Sequence, residues 1–138
     1  MTKEELFNLI NSNPAMQLAT MDGDQPRVRG MLLFRAAEDG FIFHTANTKD
    51  VYKQIEANNK VEMCFMADGT QIRVTGEARR DTNPELESEI RSHPSRQFLQ
   101  AWKDMDFEMI VYRVTNCTAV TWSFETNFDK KQPVRLCD

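Results

Sequence analysis

Apolar and polar residues alternate along most of this 138-residue chain, which is the two-residue period of half-buried β-strands. Tight-turn signals, Asp22-Gly23, Asp39-Gly40 and Asp68-Gly69, stand between successive alternating stretches. Because such turns are too short for parallel crossovers, neighbouring strands are expected to be antiparallel. The pattern predicts strands at residues 16–21, 26–34, 41–45, 61–67, 71–79, 107–115 and 118–124.

Four short segments show the 3.6-residue period of helices instead. Thr2 and Glu5 have the spacing of a capping box and begin a helix that Asn13-Pro14 ends. Residues 47–50 offer hydroxyl and amide caps for a second helix, which Asn58-Asn59 closes. The predicted helices begin near residues 3, 50, 84 and 94, the third of them after an Asn83 cap with Pro84 just inside it.

This order of elements predicts one domain over residues 1–138, mainly β with peripheral helices. A mostly antiparallel, closed or nearly closed barrel fits the short connections best. A barrel of about seven strands fills its interior with its own side chains. A large ligand is therefore expected outside the barrel, against a strand face or between subunits.

Composition narrows the range of partners. The formal net charge is −4, and acidic and basic residues are interleaved, so nucleic acid is not expected as a partner. The acidic start of the chain and the absence of a long apolar run predict a cytoplasmic protein that does not enter the membrane. The three cysteines are widely spaced and form no Cys-x-x-Cys pair, which argues against a disulfide framework and a metal site.

One region carries candidate chemistry. Arg27 and Arg29 lie on the same side of the second predicted strand, and Asn47, Thr48 and Lys49 gather at the start of the second helix. Free backbone N–H groups and the helix dipole favour an anion there, so the cluster is a candidate phosphate site. In the alternative interpretation, the arginines are solvated strand residues and Thr48 is only a helix cap.

The order and spacing of four segments carry a resemblance to a known family. They are residues 27–34 (RVRGMLLF), 41–45 (FIFHT), 47–55 (NTKDVYKQI) and 71–76 (QIRVTG). Together they resemble the pyridoxamine 5'-phosphate oxidase-like flavoproteins, above all their short members, which include general stress and nitroimidazole-reductase proteins. The resemblance extends from the first helix to residues 121–124.

The resemblance implies an antiparallel split β-barrel that forms a homodimer, with one FMN per subunit in each of two interface grooves. Its strand at residues 29–33 would follow the isoalloxazine, and Lys49 and its neighbours would hold the phosphate. Trp122 would close the apolar end of the ring from the partner subunit. The residues implied in cofactor binding are Arg27, Arg29, Gly30, Met31, Leu32, Leu33, His44, Thr45, Asn47, Thr48, Lys49, Gln71 and Trp122.

Several residues depart from the family pattern. An Arg-Lys pair of the true oxidases falls near Asp50 and Val51 here, so a rearranged phosphate contact through Lys49, Lys53 and the arginines is expected. Phe34 stands where the oxidases have a substrate-binding lysine, and their basic C-terminal motif is absent. Gly30 replaces a proline of many short relatives. Oxidation of pyridoxamine phosphate is therefore not expected.

Single residues of reactive type have two interpretations each. His44 is a candidate for proton transfer because its ordinary pKa lies near neutrality, or else a strand-end histidine with a satisfied ring. Cys64 is expected to point inward as packing rather than to act as a nucleophile. Trp102 is interpreted as a helix anchor more readily than as a cofactor contact.

Three functions remain open at this point. The first is an FMN-dependent oxidoreductase in which the flavin passes a hydride or electrons to a small acceptor. The second is a non-catalytic module that holds FMN, deazaflavin or haem for storage, sensing or stress protection. The third is a structural dimer whose cofactor site has been lost.

Overall fold

Eight strands, three α-helices and one 3-10 segment build the chain, and a computed structural model describes residues 1–138. The α-helices are α1 (Lys3–Ser12), α2 (Asp50–Ala57) and α3 (Pro84–Ser92), and the 3-10 segment is Pro94–Trp102. The strands are β1 (Ala15–Asp22), β2 (Gln25–Leu32), β3 (Arg35–Ala37), β4 (Gly40–Ala46), β5 (Lys60–Ala67), β6 (Thr70–Arg80), β7 (Met109–Trp122) and β8 (Val134–Cys137). None of the helices is long and apolar enough to span a membrane.

The strands form one antiparallel sheet in the order β2-β1-β5-β6-β7-β4-β3, with β8 on β7. Its two end strands, β2 and β3, are separated by only two residues. The N–H of Leu33 donates to the carbonyl of Pro14, and the N–H of Phe34 donates to that of Ile42. One bent stretch of chain therefore joins both ends of the sheet, which confirms the predicted split barrel.

The strands differ from the prediction at three places, and the first is the short strand β3 (Arg35–Ala37), which was not predicted. The predicted sixth and seventh strands are one continuous strand, β7, because Asn116 takes a left-handed φ of 55° within the strand instead of opening a turn. Strand β8 was not predicted, since four residues after a long loop carry too little alternation.

The barrel interior holds the main core, and β4 is covered on both faces. Phe41 and Phe43 point into the barrel, whereas Ile42 packs outside it against α3 and the 3-10 segment. Because the outer side of β4 is covered, the 3-10 segment is held next to the end of β2. This placement creates the wall of a groove.

The helix caps follow the prediction at two helices out of three. Thr2 Oγ1 accepts from the N–H of Glu5, and Asn83 Oδ1 accepts from the N–H of Glu85. The predicted hydroxyl or amide cap of α2 is wrong, because Lys49 occupies the cap position without a side-chain hydrogen bond. The Asn47 amide oxygen instead accepts from the N–H of Glu108.

Candidate functional site

A groove of about 1350 Å³ lies between β2, the start of α2 and the 3-10 segment. Strand β2 pairs only with β1, so its other edge is free and faces this groove. The groove brings together most of the residues predicted from the sequence. Those that line it are Arg27, Arg29, Gly30, Met31, Leu32, His44, Thr45, Thr48 and Lys49.

Four predicted residues do not line the groove of their own chain. Leu33 is buried in the main core, and Asn47 is held by Glu108. Gln71 and Trp122 face each other across the β6–β7 pair, and the indole N–H of Trp122 donates to Asn127. Neither residue therefore reaches the groove of its own chain.

One end of the groove is cationic. The ammonium groups of Lys49 and Lys53 form no ion pair, and Arg27 bonds Asp22 across the β1–β2 hairpin at 3.2 Å. The first turn of α2 opens here without a side-chain cap, so its N–H groups are available to an anion. Asp50 in the same turn and Asp22, which is paired with Arg27, supply the opposing charges.

Arg29 ties three elements together beneath this cationic end. Its Nη1 donates to Thr20 Oγ1 at 2.7 Å and to the Leu18 carbonyl, and its Nη2 donates to Gln54 Oε1 at 2.6 Å. Burial lowers the pKa of Arg29, and the carboxylate of Asp50 partly offsets that effect. Arg29 therefore anchors α2 to the barrel in addition to adding positive charge to the groove.

His44 lies at the middle of the groove with its ring already engaged. Arg96 is 2% exposed, and its Nε donates to His44 Nε2 at 2.8 Å. Since arginine only donates, Nε2 must be the acceptor and the ring proton sits on Nδ1. Burial first, and then the charges of Arg96 and Arg91, lower the pKa of His44 to about 4. The ring is thus neutral near pH 7, as in the satisfied-ring interpretation.

Sequence reasoning missed Arg96 entirely. Besides His44, it bonds the Leu32 carbonyl at 3.2 Å and lies over the rings of Phe34 and Phe98. These contacts join β2, β4 and the 3-10 segment at one guanidinium. An arginine two residues after Pro94 resembles an exposed helix residue, so no pattern in the chain could have indicated its burial.

The other end of the groove is apolar and aromatic. Phe98 and Trp102 are 40% and 45% exposed and meet edge to face, with ring centroids 5.5 Å apart. Leu99 belongs to the same 3-10 segment and Met105 follows it, whereas Phe107 and Met109 line the groove beside Ala46, close to the start of α2. Trp102 therefore contributes to the groove, contrary to its interpretation as a helix anchor.

Cys64 was also misplaced by the sequence reasoning. It lies on the outer face of β5, opposite Gln17 and Arg73, because the inward positions of this strand are Val61, Met63 and Phe65. Its thiol is half-buried, and burial raises its pKa. It does not line the groove.

Comparison with known proteins identifies relatives over most of the chain. A family model described as pyridoxamine 5'-phosphate oxidase matches residues 2–121. A pyridoxine/pyridoxamine 5'-phosphate oxidase from Sinorhizobium fredii is 33% identical over 103 residues, which cover 72% of this chain and 50% of that protein. The chain spans about half the length of the curated relatives it matches.

Solved structures share the fold over nearly the full chain. A NimC/NimA family protein from Clostridium acetobutylicum is 28% identical with a TM-score of 0.74, covering 95% of this chain and 91% of its own. A heme binding protein from Mycobacterium smegmatis is 14% identical with a TM-score of 0.72, covering 96% of this chain and 57% of its own. The second likeness concerns the fold alone.

Proposed function

The chain belongs to the pyridoxamine 5'-phosphate oxidase family, and we propose that it is an FMN-binding oxidoreductase that works as a homodimer. The observation that carries the proposal is the division of one groove into a cationic end and an aromatic end along a free strand edge. FMN has the same division, with a phosphate at one end and a planar ring at the other.

The donor set of the groove fits this cofactor. Lys49 and Lys53 stand free of ion pairs beside the uncapped start of α2, where a phosphate dianion would be held. The free edge of β2 offers backbone donors and acceptors to the polar edge of the ring. Asp50 repels a phosphate, so the lysines must offset its charge.

When bound, FMN would supply the hydride or electron transfer, and the residues of this chain would bind and orient it. His44 would hold no mobile proton on Nε2, because that atom accepts from Arg96. Its Nδ1–H would remain as a donor. Phe98 and Trp102 would exclude water from the aromatic end and receive a small apolar acceptor.

Pyridoxamine phosphate is not the substrate proposed here. Phe34, where the true oxidases have a lysine, packs against His93 and lies under the guanidinium of Arg96. The cations of the groove are gathered at the end assigned to the cofactor phosphate. A second phosphate would meet only the aromatic wall.

The groove also favours FMN over haem. His44 is the one histidine that lines it, and its Nε2 lone pair is occupied by the hydrogen bond from Arg96. An iron ligand needs a free lone pair on the imidazole. A haem bound here would have to break a buried contact before His44 could ligate it.

The homodimer is supported by the outer face of the sheet. Val28 on β2, at the rim of the groove, and Met66 on β5 are apolar and more than half exposed, at 67% and 53%. Gln71 and Trp122 lie on the same sheet, away from the groove of their own chain. A second copy packed against this face would bring its Gln71 and Trp122 toward the flavin.

A turnover assay tests the proposal directly. Purified protein loaded with FMN is mixed with a reduced nicotinamide donor and then with nitroaromatic or quinone acceptors. Loss of the flavin absorbance on adding donor, and its return on adding acceptor, is the expected result. A flavin that stays bound but that no donor reduces would contradict the oxidoreductase and identify a binding module instead.

A further inference from the structure

Two cysteines outside the groove stand directly opposite each other in the sheet. Cys117 on β7 pairs with Cys137 on β8, and both are buried, at 0% and 4% exposure. Opposed residues of an antiparallel pair have Cα atoms about 4.5 to 5.5 Å apart. This spacing falls within the range that a disulfide spans without backbone movement.

The two thiols already share their polar contacts. Cys117 Sγ donates to the carbonyl of Val114 at 3.4 Å, and Cys137 Sγ lies 4.0 Å from the same oxygen. The single S–H of Cys117 can thus be donated either to this oxygen or to the Cys137 sulfur. Both sulfurs therefore make polar contacts in addition to packing in the core.

The charges around the pair favour one thiolate beside one thiol. When the Cys117 S–H turns from the Val114 carbonyl to the Cys137 sulfur, it lowers the pKa of Cys137 to about 7, with help from the Cys117 N–H, Arg135 and Lys3, although burial opposes the shift. The same hydrogen bond and burial raise the pKa of Cys117. Two adjacent thiols of unequal pKa can form a disulfide through a sulfenic acid once an oxidant reaches the one of lower pKa.

We propose that Cys117 and Cys137 are a site of oxidation by hydrogen peroxide, which joins β7 to β8 through a disulfide that a dithiol reductant reopens. The Cys137 thiolate attacks one peroxide oxygen, the O–O bond breaks, and the displaced oxygen leaves as water after taking a proton. Cys117 then attacks the resulting sulfenic acid, the S–S bond forms, and the S–O bond breaks to release a second water. Two thiols lose two electrons and two protons, and the peroxide gains them.

The bond would act on a part of the fold that is otherwise lightly held. Strand β8 has four residues and a single neighbour, and a long loop separates it from β7. Leu136 is buried in the main core, so a fixed β8 keeps that part of the core closed. Oxidation therefore pins β8 to the barrel.

The third cysteine provides the matched control. Cys64 lies on the outer face of β5, whereas the pair lies in the core. The experiment treats the folded wild-type chain, Cys64→Ser and Cys137→Ser with limiting hydrogen peroxide, counts the remaining thiols, and maps the peptides by mass. Peptide mapping separates disulfides from methionine oxidation, and a urea-unfolded sample measures the rate without the fold.

We expect wild type and Cys64→Ser to lose two thiols and about 2 Da in a peptide pair joining Cys117 to Cys137. Dithiothreitol should reverse the change, and Cys137→Ser should not show it. The pair should form at least about tenfold faster in the folded than in the unfolded chain. Oxidation confined to Cys64, chain-to-chain disulfides, or equal rates in both samples would overturn the proposal.

Discussion

Arg96 organises the site at the scale of single residues. One buried guanidinium satisfies His44, holds the end of β2 and supports the ring of Phe98. Removing one partner of such a buried contact leaves the other polar groups unsatisfied, which costs more than the bond itself contributed. The neutral state of His44 is therefore a product of the fold and not of the residue's own chemistry.

The neutral His44 ring makes stability depend on pH. Its pKa falls from 6.5 in the unfolded chain to about 4 in the folded one, so the unfolded chain binds more protons between these values. The stabilisation that comes from the neutral His44 ring should be complete above pH 6.5. The free energy of unfolding should fall by roughly 3 kcal/mol as the pH drops toward 4. Urea unfolding at both pH values measures the loss.

The matched variants are His44→Gln and His93→Gln. A glutamine oxygen can still accept from Arg96 but does not titrate, so His44→Gln should flatten the pH dependence. His93 is the other histidine of the chain and accepts from the N–H of Ser95 at the start of the 3-10 segment, so its replacement tests the loss of that cap and should leave the contribution of His44 in place. If the pH dependence of the free energy of unfolding flattened in His93→Gln but not in His44→Gln, the prediction for His44 would be contradicted.

Lys49 carries the second residue-scale prediction. Because a hydrogen bond to a charged group contributes about 1.5 to 3 kcal/mol, Lys49→Ala should raise the dissociation constant for FMN roughly tenfold or more. Equilibrium titration of flavin fluorescence measures it. Lys3→Ala removes the same charge far from the groove and should bind as wild type does. Equal affinities for all three proteins would refute the phosphate site.

The sequence predicted which cationic residues line the groove, but not the contacts that hold the groove together. Lys49 and Arg29 could be predicted because helix starts and strand alternation are local features. The contact between Arg96 and His44 joins residues 52 positions apart and depends on how the 3-10 segment packs, so no local signal contains it. Asn47 illustrates the converse, since its amide oxygen accepts from the N–H of Glu108 instead of capping α2.

At the scale of elements, the pairing of β6 with β7 requires a close approach of two backbones. A Cβ atom at Gly76 would lie 2.6 Å from Val114 Cγ1 and 2.9 Å from the Thr115 carbonyl. Such overlap forces the strands apart at the irregularity between Thr75 and Glu77. The long strand β7 thus depends on one glycine in its neighbour.

Gly76→Ala should therefore destabilise the fold by about 2 kcal/mol, as other overpacked positions do. Gly30→Ala is the matched control, because its nearest neighbour would be Gln17 Nε2 at 3.9 Å. Alanine there should preserve stability or raise it slightly. Chemical denaturation of both variants without flavin is the measurement, and an equal loss in both would contradict the packing argument.

Element boundaries were predictable only where the chain itself marks them. The Gly-containing turns ended strands where expected, and the N-caps Thr2 and Asn83 began helices where expected, because the geometry of turns and caps is local. At Asn116 the residues suggested a break, yet the neighbouring strands β6 and β8 held β7 continuous through a bulge. Pairing across the sheet decided the structure there.

At the scale of the whole molecule, the proposed dimer makes the groove complete. Met66→Glu places a charge on the outer face of the sheet and should shift the sedimentation mass from twice 16.0 kDa toward the mass of one chain. Flavin should be lost with it, since Gln71 and Trp122 then have no groove to reach. Gln97→Glu, on the exposed side of the 3-10 segment, should change neither property. A wild-type chain that sediments as a monomer would contradict the dimer.

The most direct measurement compares FMN with riboflavin, which carries the same ring without the phosphate. Purified protein is titrated with each and then desalted, and the retained flavin absorbance is recorded. We predict one retained FMN per chain and a roughly hundredfold weaker affinity for riboflavin, about 2.7 kcal/mol. Equal affinities, or no retained flavin of either kind, would contradict an FMN site built on Lys49, Lys53 and the start of α2.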